Sequence, residues 1–445
     1  MRVFNYFITF IIVCCCFNNT YSQQKQPVSN SLKKTYQEKV LKYLQKEDSV
    51  SQHFSINDSG IFTYKSLEDK SLHNPEFAIK WNELELYKHL SKNASQELLL
   101  EFYTRQNQYK LPVGLLTDLF KKTIYEKSQN DGSLKGKRIA IDPGHIAGNM
   151  DIAKIEKKFV EFKAGKKNEF TNDINLIEGN LTLSTALLLK QRLEAEGAIV
   201  FLTREKQNTS SFGNSFEDWL KKDYKKLLKS AYEKGEITKD ERKHFQRKAG
   251  KKEIFERFYN DLDLKNRARL INEFVPDVTV VIHYNADDKN IPLEKPTERN
   301  FNMVFVPGGF KNGELKEAEE RMNFLRLLIG NDIESSIDFS KEIIDSFKEN
   351  LNVPIPKPED TEYLILSSMA TDKEGVYARN LTLTRLINGT LVYGETLYQD
   401  NINECVELNK QEIKIGNIKT SKRVKSIADA YFEGISNYFK NTSDQ

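Results

Sequence analysis

The sequence predicts an α/β fold in which a mostly parallel, twisted sheet is flanked by helices. Residues 139–141 form a short β-rich apolar run that Pro143-Gly144 ends abruptly, as expected for a buried strand. Residues 176–203 hold a leucine-rich helical pattern, a glycine at its end and then a second apolar run. A strand–helix–strand unit of this kind gives a parallel pair of strands. Residues 278–282 form a third apolar run, preceded by Pro276.

The amino terminus has the charge and hydropathy order of a secretory signal peptide. Met1-Arg2 precedes an apolar run at residues 7–17, and Thr20-Tyr-Ser22 offers a small-x-small cleavage site, which predicts a signal peptide over residues 1–22. A lipidated cysteine among residues 14–16 is the alternative, but the residue before each of them is valine or cysteine. The run is too short for a stable membrane span. We expect an exported protein of the periplasm or cell envelope.

Composition restricts the partners and the possible metal chemistry. The chain has 67 basic and 64 acidic residues and no single-sign tail, so we expect no nucleic acid as a partner. Three of the four cysteines fall within the predicted signal peptide, which leaves Cys405 alone. We therefore expect no internal disulfide and no thiolate-rich metal site, and any zinc must rely on histidine and carboxylate. Amphipathic helical spacing over residues 31–127 predicts a helical N-terminal region, residues 23–134.

Three ionisable side chains follow predicted strands. His145 and His283 come directly after the first and third apolar runs, and Glu395 follows another one at residues 390–393. A single histidine in such a place is more often structural than metal-binding. Three strand ends presenting His, His and Glu predict one shared metal site, because parallel sheets place their ligands at the carboxyl ends of the strands. Residues 381–386 are predicted as a further strand beside residues 390–393.

Six motifs in order resemble the zinc-dependent N-acetylmuramoyl-L-alanine amidases. They are Ile141-Asp142-Pro-Gly-His145, Asn175-Leu-Ile-Glu178 with its leucine helix, Thr203-Arg204, Arg267-Ala-Arg269-Leu-Ile-Asn272, Ile282-His283-Tyr-Asn285-Ala286, and Leu391-Val-Tyr-Gly-Glu395 with Asn401 six residues later. The resemblance covers residues 135–445, which are therefore predicted to form a zinc amidase catalytic domain with a phosphorylase/hydrolase-like sheet.

The resemblance implies His145, Glu178 and His283 as zinc ligands and Glu395 as the catalytic carboxylate. Two imidazoles and one carboxylate leave a fourth tetrahedral position for water, the pattern of a catalytic zinc site. It also implies peptidoglycan as the substrate, cleaved at the amide between N-acetylmuramic acid and the L-alanine of the stem peptide. The implied role is cell-wall remodelling or daughter-cell separation.

The chain departs from the family pattern between His145 and Glu178, where the gap (178 − 145 = 33 positions) is longer than the family's short linker. Glu156 and Glu161 lie in that gap and are alternative ligands, although only Glu178 opens the leucine helix. Asp142 has two possible roles, orienting His145 or forming the turn before Pro143.

Three segments are predicted as insertions, at residues 149–172, 205–261 and 287–299. An inserted helix covers the active site in some family members until a partner protein removes it. For residues 205–261 and 287–299 the sequence leaves two interpretations open: such a lid, with an activator that relieves autoinhibition, or plain surface decoration. Two other functions remain open: a zinc peptidase acting on wall peptides, and an inactive wall-binding or regulatory protein.

Overall fold

The computed structural model describes residues 30–104, 131–165, 170–290 and 295–442. The predicted signal peptide, residues 1–22, lies outside these ranges. Among the residues that are described, no helix combines the length and the apolar character needed to cross a membrane.

The strands are numbered in chain order. They are β1 (Phe54–Asn57), β2 (Gly60–Thr63), β3 (Phe77–Lys80), β4 (Arg138–Pro143), β5 (Phe159–Phe162), β6 (Ile174–Ile177), β7 (Ile199–Leu202), β8 (Val278–Asn285), β9 (Met303–Val306), β10 (Met369–Ala370), β11 (Val376–Ala378), β12 (Leu391–Tyr398), β13 (Ile413–Ile415) and β14 (Ile418–Thr420).

The α-helices are numbered in the same way. They are α1 (Asn30–Lys39), α2 (Leu67–Ser71), α3 (Leu84–Asn93), α4 (Gln96–Thr104), α5 (Met150–Glu156), α6 (Glu178–Ala195), α7 (Phe216–Lys222), α8 (Tyr224–Glu233), α9 (Lys239–Arg247), α10 (Lys251–Ile254), α11 (Asn260–Phe274), α12 (Ala318–Ile329), α13 (Asp332–Leu351), α14 (Glu362–Ser367), α15 (Thr382–Leu386), α16 (Glu404–Asn409) and α17 (Lys422–Asn441). Two π-helical turns, Val40–Leu44 and Phe255–Tyr259, adjoin α1 and α10.

Seven strands form the main sheet, in the order β10-β11-β9-β12-β8-β4-β7. The pairs β11–β9, β12–β8, β8–β4 and β4–β7 are parallel, and β10–β11 and β9–β12 are antiparallel. The predicted mostly parallel α/β sheet is therefore confirmed. The parallel half, β12-β8-β4-β7, contains the strands that carry the predicted site residues.

Helices cover both faces of this sheet. On one face α6, α13 and α17 pack in the main hydrophobic core, together with alternate strand residues such as Ile139, Val280 and Val392. On the other face α11 and α15 pack against Ala140 and Val281. Successive strand residues point to opposite faces, so both sets are apolar wherever a helix covers them.

The N-terminal region adds a small antiparallel sheet, β1-β2-β3, to its predicted helices α1–α4. It packs in the same hydrophobic core as the main sheet. Gln45 forms a β-bridge with Phe310, and Lys39 Nζ lies 2.8 Å from the Glu334 carboxylate.

The prediction of a strand at residues 381–386 is wrong, because Thr382–Leu386 forms a short helix, α15. The alternating leucines and threonines suggested a strand, but Leu383 and Leu386, three positions apart, both pack in the cluster beneath α11. The Leu381 N–H donates to Thr384 Oγ1 at 2.9 Å, which supports the start of the helix.

The long gap before Glu178 folds into a helix and a hairpin. Residues 150–156 form α5, and β5 pairs antiparallel with β6, the strand that leads directly into Glu178. Residues 205–261 form α7–α10, whose aromatic side chains make a second hydrophobic core of their own. That core also contains Ile146, Ala147 and Ile152, so the first two predicted insertions pack together. We call these two segments, residues 149–162 and 205–261, the helical subdomain.

Candidate metal centre and active site

His145 stands directly beyond the carboxyl end of β4 in a left-handed backbone conformation, with φ 58°. Non-glycine residues adopt this conformation uncommonly, and in a buried turn their surroundings must hold the backbone in it. Two buried arginines do so here. Arg267 donates to the carbonyls of Pro143 (2.9 Å) and His145 (3.2 Å), and Arg204 donates to that of Gly144 (3.0 Å).

Asp142 helps to form this turn and does not contact the His145 imidazole. The Asp142 carboxylate accepts a hydrogen bond from Thr203 and lies 3.3 Å from Arg267 Nη1. Arg267 also donates through Nε to Asp263, at 2.7 Å. Of the two roles that the sequence left open, the structure favours the turn.

Glu178 is the first residue of α6 and is fully buried. One oxygen accepts from the Tyr284 N–H at 3.2 Å, and the other accepts from Gln399 Nε2 at 3.3 Å. A side chain on Gly179 would meet the Ala147 carbonyl oxygen at 2.6 Å, so glycine lets α6 begin directly against the loop after His145. The carboxylate is thus held at a fixed place beside that loop.

His283 lies inside β8, next to β4, and is buried. Its imidazole stacks on the Tyr393 ring, with centroids 4.6 Å apart and planes at 7°. A side chain on Gly144 would collide with this imidazole, so Gly144 provides the space for His283.

Three predicted ligands, His145, Glu178 and His283, meet at one point. Their ligand atoms all lie within 4.8 Å of one another. Glu178 Oε1 is 3.2 Å from His145 Nε2 and 3.1 Å from His283 Nδ1, while His145 Nε2 is buried without a hydrogen-bond partner. Two imidazole nitrogens and a carboxylate with a buried, unsatisfied nitrogen fit a zinc ion.

Glu395 lies in β12, directly opposite His283 on β8. Residues in register on adjacent parallel strands point to the same face, so this carboxyl group lies beside the three converging ligands. Burial, together with the negative charge of Glu178, raises the pKa of Glu395 to about 7. A carboxyl group that titrates near neutrality is suited to exchange protons during a reaction.

The two histidines have different electrostatic environments. Burial lowers the pKa of His283 to about 4, so its imidazole is neutral and available as a ligand at pH 7. Burial also disfavours the charged form of His145, but the carboxylates of Glu178 and Glu156 outweigh it and raise its pKa. Glu178 itself is buried, yet the charges of His145 and Lys158 hold its pKa well below the usual range.

Glu156 and Lys158, both from the helical subdomain, also lie at this site. The Glu156 oxygens accept from the N–H groups of Ile146 (3.1 Å) and Ala147 (2.9 Å), and one lies 3.8 Å from His145 Nδ1. Glu156 therefore faces the imidazole nitrogen opposite to the one that faces Glu178.

Glu161, the third candidate ligand, forms ion pairs with Lys154 (3.4 Å) and Lys163 (3.8 Å) and does not belong to the cluster. Lys158, whose Nζ is 3.7 Å from the Glu178 carboxylate, carries no motif or periodicity that would have predicted it from the sequence. Only the antiparallel pairing of β5 with β6 brings this lysine beside the carboxylate.

A cleft of about 190 Å³ opens beside the ligands on the α11 side of the sheet. The helical subdomain forms one wall, through Phe255 and Tyr259, and α15 contributes Leu383 to another. His283 and Tyr393 also line the cleft.

A protein-family model described as N-acetylmuramoyl-L-alanine amidase matches residues 139–437, well over half of the chain. The chain belongs to the N-acetylmuramoyl-L-alanine amidase family. All four predicted site residues fall within the match. This amidase is therefore a hydrolase of peptidoglycan, and the resemblance that the motifs indicated is confirmed. No curated protein sequence matches the chain.

Several solved amidase structures are similar to this one. The CwlD amidase of Clostridioides difficile, solved in complex with the GerS lipoprotein, is 19% identical over 68% of this chain and 98% of its own, with a TM-score of 0.36. Ami1 of Mycobacterium abscessus is 15% identical over 68% of this chain and 99% of its own, with a TM-score of 0.36. The CwlV catalytic domain of Bacillus (Paenibacillus) polymyxa is 14% identical over 68% and 97%, with a TM-score of 0.34.

Proposed function

We propose that this amidase is an exported zinc hydrolase that cleaves the amide between N-acetylmuramic acid and the L-alanine of the stem peptide. Its role would be cell-wall remodelling or daughter-cell separation. His145, Glu178 and His283 would hold the zinc ion, and Glu395 would be the catalytic carboxylate.

The observation that carries the proposal is the register of β12 against β8. It sets Glu395 beside His283, whose ring lies next to the converging His145 and Glu178. A base that does not itself ligate, next to three ligands that leave a fourth position free, is the arrangement that metal-assisted amide hydrolysis requires.

Zinc and the Glu395 carboxylate would have different parts in the reaction. Zinc, when bound, acts as a Lewis acid that acidifies the attacking water and polarises the scissile carbonyl. Glu395 takes a proton from that water as its oxygen bonds to the lactyl carbonyl carbon. The same carboxyl group returns the proton to the L-alanine nitrogen as the carbon–nitrogen bond breaks.

Digestion of purified peptidoglycan tests the reaction. The mature protein should release intact stem peptides with a free L-alanine amine, and a chelator should stop the release. Glu395→Gln should lower the rate by roughly 10²–10⁴-fold while zinc binding remains. Cleavage of peptides that lack the sugar would indicate a wall peptidase instead. Sedimentation with the wall but no release by a zinc-loaded protein would indicate a binding protein.

A set of matched glutamate variants tests the ligand assignment. Glu178→Gln should abolish stoichiometric zinc binding, because one of the three ligands loses its charge. Glu161→Gln makes the same chemical change on the neighbouring hairpin and should bind zinc normally. Normal zinc binding by Glu178→Gln, measured by metal analysis after dialysis, would refute the assignment of this residue.

Export through a signal peptide at residues 1–22 is also part of the proposal, with a helical N-terminal region at 23–134 and the zinc amidase domain at 135–445. Peptidoglycan lies outside the cytoplasmic membrane, so a peptidoglycan amidase acts there. Mass analysis of the protein from the envelope fraction should show a chain that begins at Gln23. A chain that begins at a lipid-modified cysteine would establish the lipoprotein alternative.

We further propose that an activating partner widens the cleft. A volume of about 190 Å³ is below the 300–1,000 Å³ usual for ligand sites, and Phe255 of the helical subdomain forms part of its wall. Phe255→Ala should therefore raise kcat/KM on intact peptidoglycan more than on a small soluble muramoyl peptide. Equal rates with both substrates, in a variant whose circular dichroism is native, would remove the reason to expect a partner.

A further inference from the structure

Arg379 is a cation that lies on the same face of the sheet as Glu395 and has no assigned role. Its guanidinium carbon is 4.9 Å from the centre of the Phe305 ring and 5.2 Å from that of Tyr363. Its side chain is partly exposed. Both rings border the guanidinium, with their centroids 6.4 Å apart, and its N–H groups donate to no other described residue, so they can bind a ligand.

The backbone of Arg379 is fixed at both ends. Its N–H donates to the carbonyl of Val306 at 3.0 Å. Its own carbonyl accepts from the Leu381 N–H at 3.1 Å and from Thr384 Oγ1 at 2.7 Å. The backbone that carries the side chain is therefore fixed, and the two ring contacts restrict the side chain itself, which reduces the conformational entropy lost on ligand binding.

Within the described part of the chain, Arg379 takes part in no direct ion pair. Among the described residues no carboxylate forms an ion pair with its guanidinium, unlike the buried Arg204 and Arg267, whose charges face Asp142. Its field nevertheless reaches the active site, where it lowers the pKa of Glu395 against the larger effect of burial. A partly buried cation without a counter-ion is a site for an anionic group.

The position of Arg379 fits a substrate group a short way from the bond that is cleaved. Phe305, beneath the guanidinium, is in register with Tyr393, which precedes Glu395 by two residues. Two strand residues span roughly 7 Å along the sheet and the adjacent strand lies roughly 4.8 Å across it, about 8–9 Å in all, while an extended peptide advances about 3.3–3.6 Å per residue. The group that meets Arg379 would thus belong to a stem-peptide residue one or two positions beyond the L-alanine.

We propose that Arg379 is a specificity-determining residue that binds a carboxylate of the stem peptide, so that the enzyme prefers stem peptides with free carboxylates over amidated ones. This inference rests on the proposed function for the identity of the substrate. Lys158 is the competing cation, since its Nζ is 3.7 Å from Glu178, but that carboxylate already compensates its charge.

Calorimetric binding of two product peptides tests the inference without requiring turnover. The probes are a tripeptide that begins with L-alanine and carries free carboxylates, and the same tripeptide with each carboxylate amidated. The zinc-loaded full mature protein should bind the free form roughly ten- to 100-fold more tightly. Arg379→Met should abolish this preference, and Arg379→Lys should restore part of it, because a lysine keeps the charge but not the bidentate geometry.

Two variants serve as controls. Arg242→Met removes an arginine stacked on Tyr232 at 4.8 Å, within the helical subdomain, and should leave the preference unchanged. Lys158→Met removes the competing cation. Loss of the preference in Lys158→Met but not in Arg379→Met would overturn the assignment, as would equal affinity of the wild-type protein for both peptides.

Kinetics on soluble muramoyl peptides provide a second readout. Arg379→Met should raise KM about tenfold for the free-carboxylate substrate and leave kcat within about twofold, since the contact is made equally in the ground and transition states. A fall in kcat alone would contradict the proposal. If the protein shows no amidase activity but keeps the peptide preference, the proposed function fails and the carboxylate site stands.

Discussion

Glu395→Gln should stabilise the zinc-free protein, and the gain should depend on pH. The pKa of Glu395 rises from 4.5 to about 7 on folding, because burial and the charge of Glu178 disfavour the carboxylate. Between these two values the folded protein keeps a proton that the unfolded chain has lost. The free energy of unfolding therefore falls as pH rises through this window and stays low above it. Glutamine cannot ionise and avoids this loss.

The magnitude follows from the shift. A difference of about 2.5 pKa units corresponds to about 3 kcal/mol, since each unit is worth 1.36 kcal/mol. Glu395 is partly exposed, so water screens some of this effect and we expect a gain of about 1–3 kcal/mol at pH 8. At pH 4.5 the variant and the wild-type protein should have nearly equal stability, because the native carboxyl group is then protonated.

Urea unfolding of chelator-treated protein at half-unit steps from pH 4.5 to 8.5 measures this difference. Adding zinc should flatten the curve, because a neighbouring dication lowers the pKa of a carboxyl group. Glu161→Gln, on the partly exposed hairpin, provides the matched control and should show no such pH-dependent gain. A difference between Glu395→Gln and wild type that is constant across the range would refute the assigned environment of Glu395.

Three further substitutions test the support of the metal centre. Glu156→Gln should weaken zinc binding about 10–100-fold, because the carboxylate that binds the loop after His145 loses its charge. A zinc titration curve equal to that of the wild-type protein would contradict this role. Gly144→Ala should displace the His283 ring and lower zinc affinity, whereas Gly250→Ala, where a side chain meets open space, should not. Arg267→Met should lower the free energy of unfolding, measured in urea, by about 3–5 kcal/mol, because the buried carboxylates of Asp142 and Asp263 lose their partner. A loss below about 1 kcal/mol would show that water solvates these two carboxylates.

The sequence was sufficient to predict the parallel half of the sheet and the strands that carry the site. Apolar runs ended by Pro143-Gly144 or preceded by proline mark buried strands, and parallel pairing then brings their carboxyl ends together. His283 and Glu395 lie within β8 and β12 and not beyond their ends, so their positions depend on strand register. Register is a tertiary property that the local pattern does not specify.

Two features could not be predicted because they depend on contacts between distant segments. Glu156 was predicted only as an alternative metal ligand. Neither its position facing His145 Nδ1 nor the position of Lys158 beside Glu178 could be inferred, because both depend on the β5–β6 pairing and the packing of α5. Residues 381–386 alternate as a strand would, yet they form α15 because Leu383 and Leu386 pack on α11. In both cases tertiary packing outweighed the local signal.

Through the second hydrophobic core, binding of the proposed zinc ion should affect the resistance of the protein to proteolysis. Ile146 and Ala147, which directly follow His145, are buried among the aromatic side chains of the helical subdomain. An ion that fixes His145 also fixes these two residues, and binding to the native state alone stabilises it by mass action. We expect zinc to slow proteolytic nicking within residues 205–261 as well as to switch on hydrolysis. With the proposed zinc site, a cell starved of zinc would then degrade copies of this amidase and not merely leave them inactive, so the abundance of the enzyme would follow the supply of that metal.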